Sequence, residues 1–136
     1  MLHAAHPPVP VVVRAVVVSG DRQHARAYAA GSSKTYVAEF AQPLVVRVVG
    51  GSAPVGSTRH VRFHCIGCTF PPTEEKDEVK RVDPSTWSSP IEEGQADVQV
   101  IVQGAGAPPF AYTIIAEPVA GRGERATATT FTVFTR

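Results

Sequence analysis

The sequence contains few of the residues that helices favour: two leucines, three lysines and one methionine among 136 residues. Valine occurs 21 times, and Val, Ile and Thr together make 37 residues. Such β-branched side chains lose rotamer freedom in a helix and pack well on a pleated sheet. The composition therefore excludes a helical bundle, and also an open α/β fold, which requires long helices.

Long apolar runs and cysteines are also scarce. No stretch approaches the roughly 18–20 uninterrupted apolar residues of a transmembrane helix. The N-terminus lacks the cationic and apolar regions of a signal peptide. We therefore expect a protein without a transmembrane segment that is either cytoplasmic or has had its leader removed. Two cysteines are too few to indicate a secreted disulfide framework.

A large excess of charge of one sign is missing as well. The net charge is +1, so nothing indicates nucleic acid or anionic lipid as a partner. The charges are nevertheless uneven along the chain: residues 1–73 carry seven basic and two acidic residues, and residues 74–93 carry three basic and seven acidic ones. Surface pairing is the usual meaning of such a contrast, and a dipole that faces a partner is the alternative.

The chain does contain many short segments with the residue pattern of β-strands, separated by turns. Eleven glycines and twelve prolines suit many turns. Seven to nine strands are predicted, including residues 9–18, 25–30, 35–40, 44–49, 59–65, 96–103, 110–115 and 125–135. They predict a single all-β domain over residues 9–136, a β-sandwich that is immunoglobulin-like in strand number and spacing, after an irregular arm at 1–8. The Cys…Trp…Cys arrangement of antibody domains is absent, because both cysteines precede Trp87.

Four of these segments have informative patterns. The nearly continuous apolar run 9–18 indicates a strand covered on both faces, or one that switches between two sheets. Segments 25–30 and 35–40 are predicted to form a hairpin. Segment 59–65 alternates strictly, which places three residues inward and three outward. The inward set is Val61, Phe63 and Cys65, and the outward set is His60, Arg62 and His64.

Residues 66–94 are poorly patterned and are interpreted as a long acidic loop. An edge strand is predicted at 78–82 and one helical turn at 83–88, because Asp83-Pro84 resembles an N-cap followed by proline. Trp87, Glu74 and Glu75 are the candidate partner-binding residues of this loop. The alternatives are that Trp87 folds back to plug the end of the sandwich and that the acids belong to a solvated loop.

The run 60–68 concentrates thiols and imidazoles, which zinc and copper bind. Cys65, Cys68 and His64 are the candidate metal ligands. His60 and His64 lie about 13 Å apart on a strand, and His64 points away from Cys65, so further ligands must come from elsewhere. Three alternatives stay open: a core Cys65 with Cys68 in the next turn, a structural disulfide, and a redox-active dithiol, which the prolines that follow disfavour.

No catalytic motif is present: the nucleophile elbow, the H-E-x-x-H zinc motif, the phosphate-binding loop and the dinucleotide fingerprint are all missing. We therefore expect a non-enzymatic binding or structural module without a cofactor. It would bind a protein partner or itself through loops or a strand edge. The alternatives are a small metal-binding protein using Cys65 and Cys68 with histidine, and a self-assembling structural subunit of an envelope or virion.

Overall fold

The computed structural model describes residues 11–31, 34–51, 59–71 and 79–136. These residues form thirteen strand segments: β1 Val11–Ser19, β2 His24–Ala25, β3 Ala27–Ala29, β4 Tyr36–Glu39, β5 Leu44–Gly50, β6 His60–Ile66, β7 Lys80–Asp83, β8 Thr86–Pro90, β9 Gln95–Val98, β10 Ile101–Gly104, β11 Phe110–Pro118, β12 Glu124–Thr127 and β13 Thr129–Thr135. The described residues include no helix, and so none that could cross a membrane. The arm at 1–8 lies outside them.

The strands form two large sheets and one small one. The largest has the order β2-β13-β11-β6-β8-β7, the second β12-β1-β5-β9, and the third β10-β4-β3. Strand β1 of the second sheet contacts β11 and β13 of the first, and the buried side chains join in one core cluster. Its largest fully buried members include Phe40, Phe63, Phe70 and Phe131. The predicted all-β sandwich is confirmed.

Strict alternation in the sequence corresponds to strands with one buried face. In β6, Val61, Phe63 and Cys65 are buried while Arg62 and His64 are exposed, as predicted. The predicted strand 96–103 is also found, although it is divided into β9 and β10 at Gln99-Val100. Similar breaks at Arg26 and Ala128 help to raise the number of segments above the predicted seven to nine. The predicted hairpin is confirmed as the antiparallel pair β3–β4.

Neither interpretation of the valine run is correct in the part that the structure describes. Strand β1 stays in one sheet, between β12 and β5, and buries Val13 and Ala15. Val12 and Val18 are each 49% exposed, so the strand is not covered on both faces. The run misled because valine occupies its outer face as well as its inner face. Among the described residues, the segment that passes between the two large sheets is instead 124–135, which is β12 in one and β13 in the other. Segments 24–29 and 95–104 each pass from a large sheet to the small one.

The predicted acidic loop 66–94 contains two strands of the largest sheet. Strand β7 lies at one edge of this sheet, which confirms an edge strand close to the predicted position, and β8 lies between β7 and β6. The helical turn predicted at 83–88 is wrong. Asp83 ends β7, and its Oδ1 accepts the Ser85 N–H at 2.8 Å, so the aspartate closes a turn between two antiparallel strands. The side chains of Asp, Asn, Ser and Thr accept backbone hydrogen bonds in turns as readily as they do at the N-cap of a helix, so the same residues are found in both.

The run 124–135 is fixed at its beginning by an ion pair. Arg59 donates through both terminal nitrogens to the carboxylate of Glu124, and Nη1 lies 3.0 Å from Oε2. Arg59 Nη2 also donates to the carbonyl of Val119 at 3.0 Å, and the N–H of Gly121 donates to Glu124 Oε1 at 2.6 Å. The two side chains are 16% and 1% exposed. This network links the strand that joins both sheets to the beginning of β6.

We expect Glu124→Ala to lower the free energy of unfolding by about 3 kcal/mol, because the largely buried Arg59 guanidinium would lose its counter-ion. Urea unfolding measures the effect. As a control, Arg59→Met combined with Glu124→Met should recover much of the loss, since an apolar pair leaves no buried charge unpaired. An unchanged stability of Glu124→Ala contradicts the structural role of the pair.

Candidate functional site

A groove of about 450 Å³ lies on the outer face of the largest sheet, beside its edge strand. It is lined by side chains of the neighbouring strands β7, β8, β6 and β11 and of the segment after β11. The lining includes Val82, Asp83, Thr86, His64, Arg62, Glu117 and Val119. The groove therefore draws on parts of the chain that are far apart in sequence.

Strand register places these side chains in rows. Asp83 of β7 is opposite Thr86 of β8, Thr86 is opposite His64 of β6, and His64 is opposite Ile115 of β11. Because residues alternate between the two faces of a strand, the inward packing of Val61, Phe63 and Cys65 turns His64 outward into this row. The same alternation places Arg62 opposite Glu117 in the next row.

Hydrogen bonds connect the first row. His64 Nδ1 lies 2.9 Å from Thr86 Oγ1. The pKa of Asp83 is held below its ordinary value, mainly by the hydrogen bond from the Ser85 N–H. Desolvation opposes this lowering of the pKa, while the hydrogen bond from the Thr86 hydroxyl and the electrostatic influence of His64 and Arg62 add to it. The row thus holds an ionised carboxylate, a hydroxyl and an imidazole side by side.

The order of these three groups does not match a hydrolytic triad. In a triad the carboxylate orients the imidazole, and the imidazole activates an accessible hydroxyl. Here the Thr86 hydroxyl stands between Asp83 and His64, and Thr86 is only 6% exposed. The groove offers hydrogen bonds and charges of both signs. It also offers apolar contact, because Val82 and Val119 are 51% and 41% exposed. These are properties of a binding surface.

The structure does not bring the predicted metal ligands together. Cys65 and Cys68 are joined by a disulfide, with Cα atoms 5.4 Å apart, and both are buried. His64 faces the groove on the other side of β6. No group of three or more potential ligands occurs among the described residues. A structural disulfide is thus the alternative that the structure adopts, and zinc or copper binding by the reduced thiols stays a prediction.

The three candidate partner-binding residues have different outcomes. Trp87 is 5% exposed and packs against Phe70, with ring centroids 6.5 Å apart, so it presents no surface to a partner. Its burial agrees with the plugging alternative, although the residue lies in strand β8 and not in a loop. Glu74 and Glu75 lie outside the described residues.

The sequence pattern identified the outward His64 and Arg62, and missed the groove's contributions from Asp83, Thr86 and Glu117.

Asp83 makes stability depend on pH. Because folding lowers its pKa below the ordinary 3.8, the ionised carboxylate stabilises the fold above that pH, and this contribution is lost as the pH falls through the lowered pKa. Asp83→Ala should therefore unfold at lower urea concentration than the unchanged chain at neutral pH, and the difference should narrow in acid. Asp83→Asn is the control, since it removes the charge and keeps an acceptor for the Ser85 N–H. A difference that does not vary with pH contradicts this account.

The disulfide should contribute less to stability than one that closes a long loop. It joins cysteines only three positions apart, so it restricts the unfolded chain over a very short loop, and the chain-entropy relation gives about 2 kcal/mol. Urea unfolding with and without a reductant measures the loss. Thiol titration of the unfolded, unreduced chain is the control and should find no free thiol. Unfolding of the whole domain upon reduction contradicts the expectation.

The chain matches no protein family model and no curated protein. Among solved structures it is similar to a cohesin module from a family 33 glycoside hydrolase of Clostridium perfringens ATCC13124. The two are 11% identical with a TM-score of 0.35, over 93% of this chain and 99% of that one.

Proposed function

We propose that the protein is a non-enzymatic binding module, and that its groove beside β7 takes an extended segment of a protein partner. The supporting observation is the position of β7. It is one of the two edge strands of the largest sheet, and no described residue pairs with its outer side. An extended segment can add to such an edge, because the main-chain hydrogen bonds of a further strand are available there.

The groove supplies the side-chain contacts that such a segment needs for selectivity. In a strand added to β7, alternate side chains face the groove at intervals of about 7 Å. Val82 is the apolar contact next to the edge, and Asp83 presents its carboxylate beside it. Arg62 and Glu117 lie deeper along the groove and offer both signs of charge. We therefore expect a segment that places an apolar side chain over Val82 and a basic one near Asp83.

The bulge in β7 restricts which segments can pair with this edge. Pairing with β8 shifts register between Arg81 and Asp83, so Val82 stands at an irregularity of the edge strand. Bulges and charged residues at sheet edges hinder indiscriminate strand pairing. Lys80 and Arg81 add positive charge at the same edge. A partner must match this geometry and charge, which favours a specific segment over general strand association.

The proposal is tested with peptides selected from a random phage-displayed library on the folded protein. Titrated into 15N-labelled protein, they should shift amide signals at 80–83 and in the groove. Val82→Asp should weaken their binding about tenfold, because it places a charge at the apolar contact. Val18→Asp is the matched control: Val18 is 49% exposed and Val82 51%, yet Val18 lies on the other large sheet, so its substitution should leave binding unchanged.

Three results contradict the proposal. One is a library that yields no binding peptide, and another is a set of peptides that shift only signals outside the groove and β7. The third is an equal loss of affinity in Val82→Asp and Val18→Asp, which shows that the charge acts without regard to position. Dimerisation in light scattering that Val82→Asp abolishes would instead support the self-assembling structural subunit, with β7 as the contact.

A further inference from the structure

The outer face of the sheet β12-β1-β5-β9 carries three exposed arginines on three adjacent strands. They are Arg125 of β12, Arg14 of β1 and Arg47 of β5. Alternation along β1 turns Val13 and Ala15 into the core and Arg14 outward, and the same applies to Arg47 beside the buried Val46. This face belongs to the sheet opposite the groove, so it is a separate surface.

Strand register sets the three arginines in one diagonal row, which we call the arginine row. Arg125 is opposite Val12, two positions before Arg14 on β1. Arg47 is opposite Val16, two positions after Arg14. Each step therefore crosses one strand and advances two residues, which corresponds to about 7–8 Å between diagonal neighbours.

Valines border the arginine row on both sides. Val12 and Val49 form a parallel diagonal on one side, and Val16 and Val45 form one on the other. Val12 is 49% exposed, and the other three are half-buried. The face thus alternates apolar, basic and apolar stripes.

Few acids oppose this charge. The described part of this face presents two acidic residues. Asp97 of β9 is a diagonal neighbour of Arg47, and Glu92 pairs with Gln95, which is opposite Arg47. No ion pair joins Arg14, Arg47 or Arg125 to any carboxylate of the described residues. The side chain of Glu124, which precedes Arg125, is 1% exposed and is paired with Arg59. The described face therefore has three positive charges against two negative ones, and both negative charges lie beyond Arg47, on the side away from Arg14 and Arg125.

We infer that the arginine row binds an extended acidic segment of a protein partner. Alternate side chains of an extended strand are about 6.7 Å apart on one face, close to the spacing of the row. Each guanidinium can take a carboxylate through two parallel hydrogen bonds. The bordering valines fit the methylene and methyl groups of a peptide. A nucleic acid offers phosphates without aliphatic side chains, and an anionic bilayer offers headgroups without a fixed spacing that matches the row.

The test uses two fluorescein-labelled peptides of the same composition, measured by fluorescence anisotropy. One alternates Glu and Thr, and in the other the glutamates are contiguous, so that fewer face the sheet at once. The alternating peptide should bind about threefold or more tightly than the contiguous one, and its affinity should fall when NaCl rises from about 0.02 M to about 0.2 M.

Charge-removing variants locate the site. Arg14→Gln should weaken binding of the alternating peptide about two- to fivefold, and replacing all three arginines by Gln should weaken it about tenfold or more. Arg136→Gln, an equal change of net charge at an exposed position beyond β13, is the matched control and should leave affinity unchanged. Circular dichroism of each variant verifies folding. Val82→Asp should also leave this binding intact, which separates the arginine row from the groove of the proposed function.

Several results overturn the inference. Equal binding of the two peptides contradicts the match in spacing. A triple variant that binds as tightly as the unchanged chain, or a loss of the same size in Arg136→Gln, contradicts the location. Single-stranded DNA or phosphatidylserine vesicles binding the unchanged chain more tightly than the alternating peptide would assign the face to nucleic acid or to a membrane surface.

Discussion

The arrangement of the two large sheets depends on the chain run 124–135 and on the ion pair at its beginning. The run pairs with β1 as β12 and with β11 as β13, so one backbone belongs to both sheets. Glu124 opens it and receives Arg59, which precedes β6 of the opposite sheet. A shift of one sheet against the other would have to separate a largely buried carboxylate from its guanidinium, which costs several kcal/mol. The ion pair thereby opposes any sliding of one sheet over the other, and so keeps the core residues of the two sheets in their contacts.

With the two large sheets packed in this way, each has an outer face, and the two faces differ in chemistry. The largest sheet presents a groove with an ionised carboxylate, an imidazole and both signs of charge, and the opposite sheet presents stripes of arginine and valine. Two members of the arginine row, Arg14 and Arg47, come from the basic part of the sequence at 1–73. The fold adds Arg125, about 80 positions further along the chain, by placing β12 beside β1. Part of the positive charge of the sequence is thus concentrated on the outer face of this sheet.

Much of the fold could be predicted from the sequence because most strands have one buried and one exposed face. Strand β6 is the clearest example. The prediction failed for β8, whose sequence Thr86-Trp87-Ser88-Ser89-Pro90 shows no apolar alternation. Thr86 and Ser89 are nevertheless buried, since the Thr86 hydroxyl meets His64 and Ser89 Oγ donates to the Asp97 carbonyl at 2.7 Å. Hydroxyls that are satisfied by hydrogen bonds can occupy inner positions without an apolar signal in the sequence.

The candidate site was harder to predict, because closeness in sequence and closeness in space differ most on a strand. His64 and Cys65 are consecutive, yet alternation places the imidazole in the groove and the sulfur in the core. Asp83, Thr86 and His64 are separated in sequence, yet the pairing of β7, β8 and β6 puts them in one row. Strand order is a property of the folded sheet, so residue types alone could suggest a metal site at 60–68 and could not assemble the groove. Once the register of β6 is known, the inward packing of Phe63 and Cys65 itself determines that Arg62 and His64 face outward into the groove.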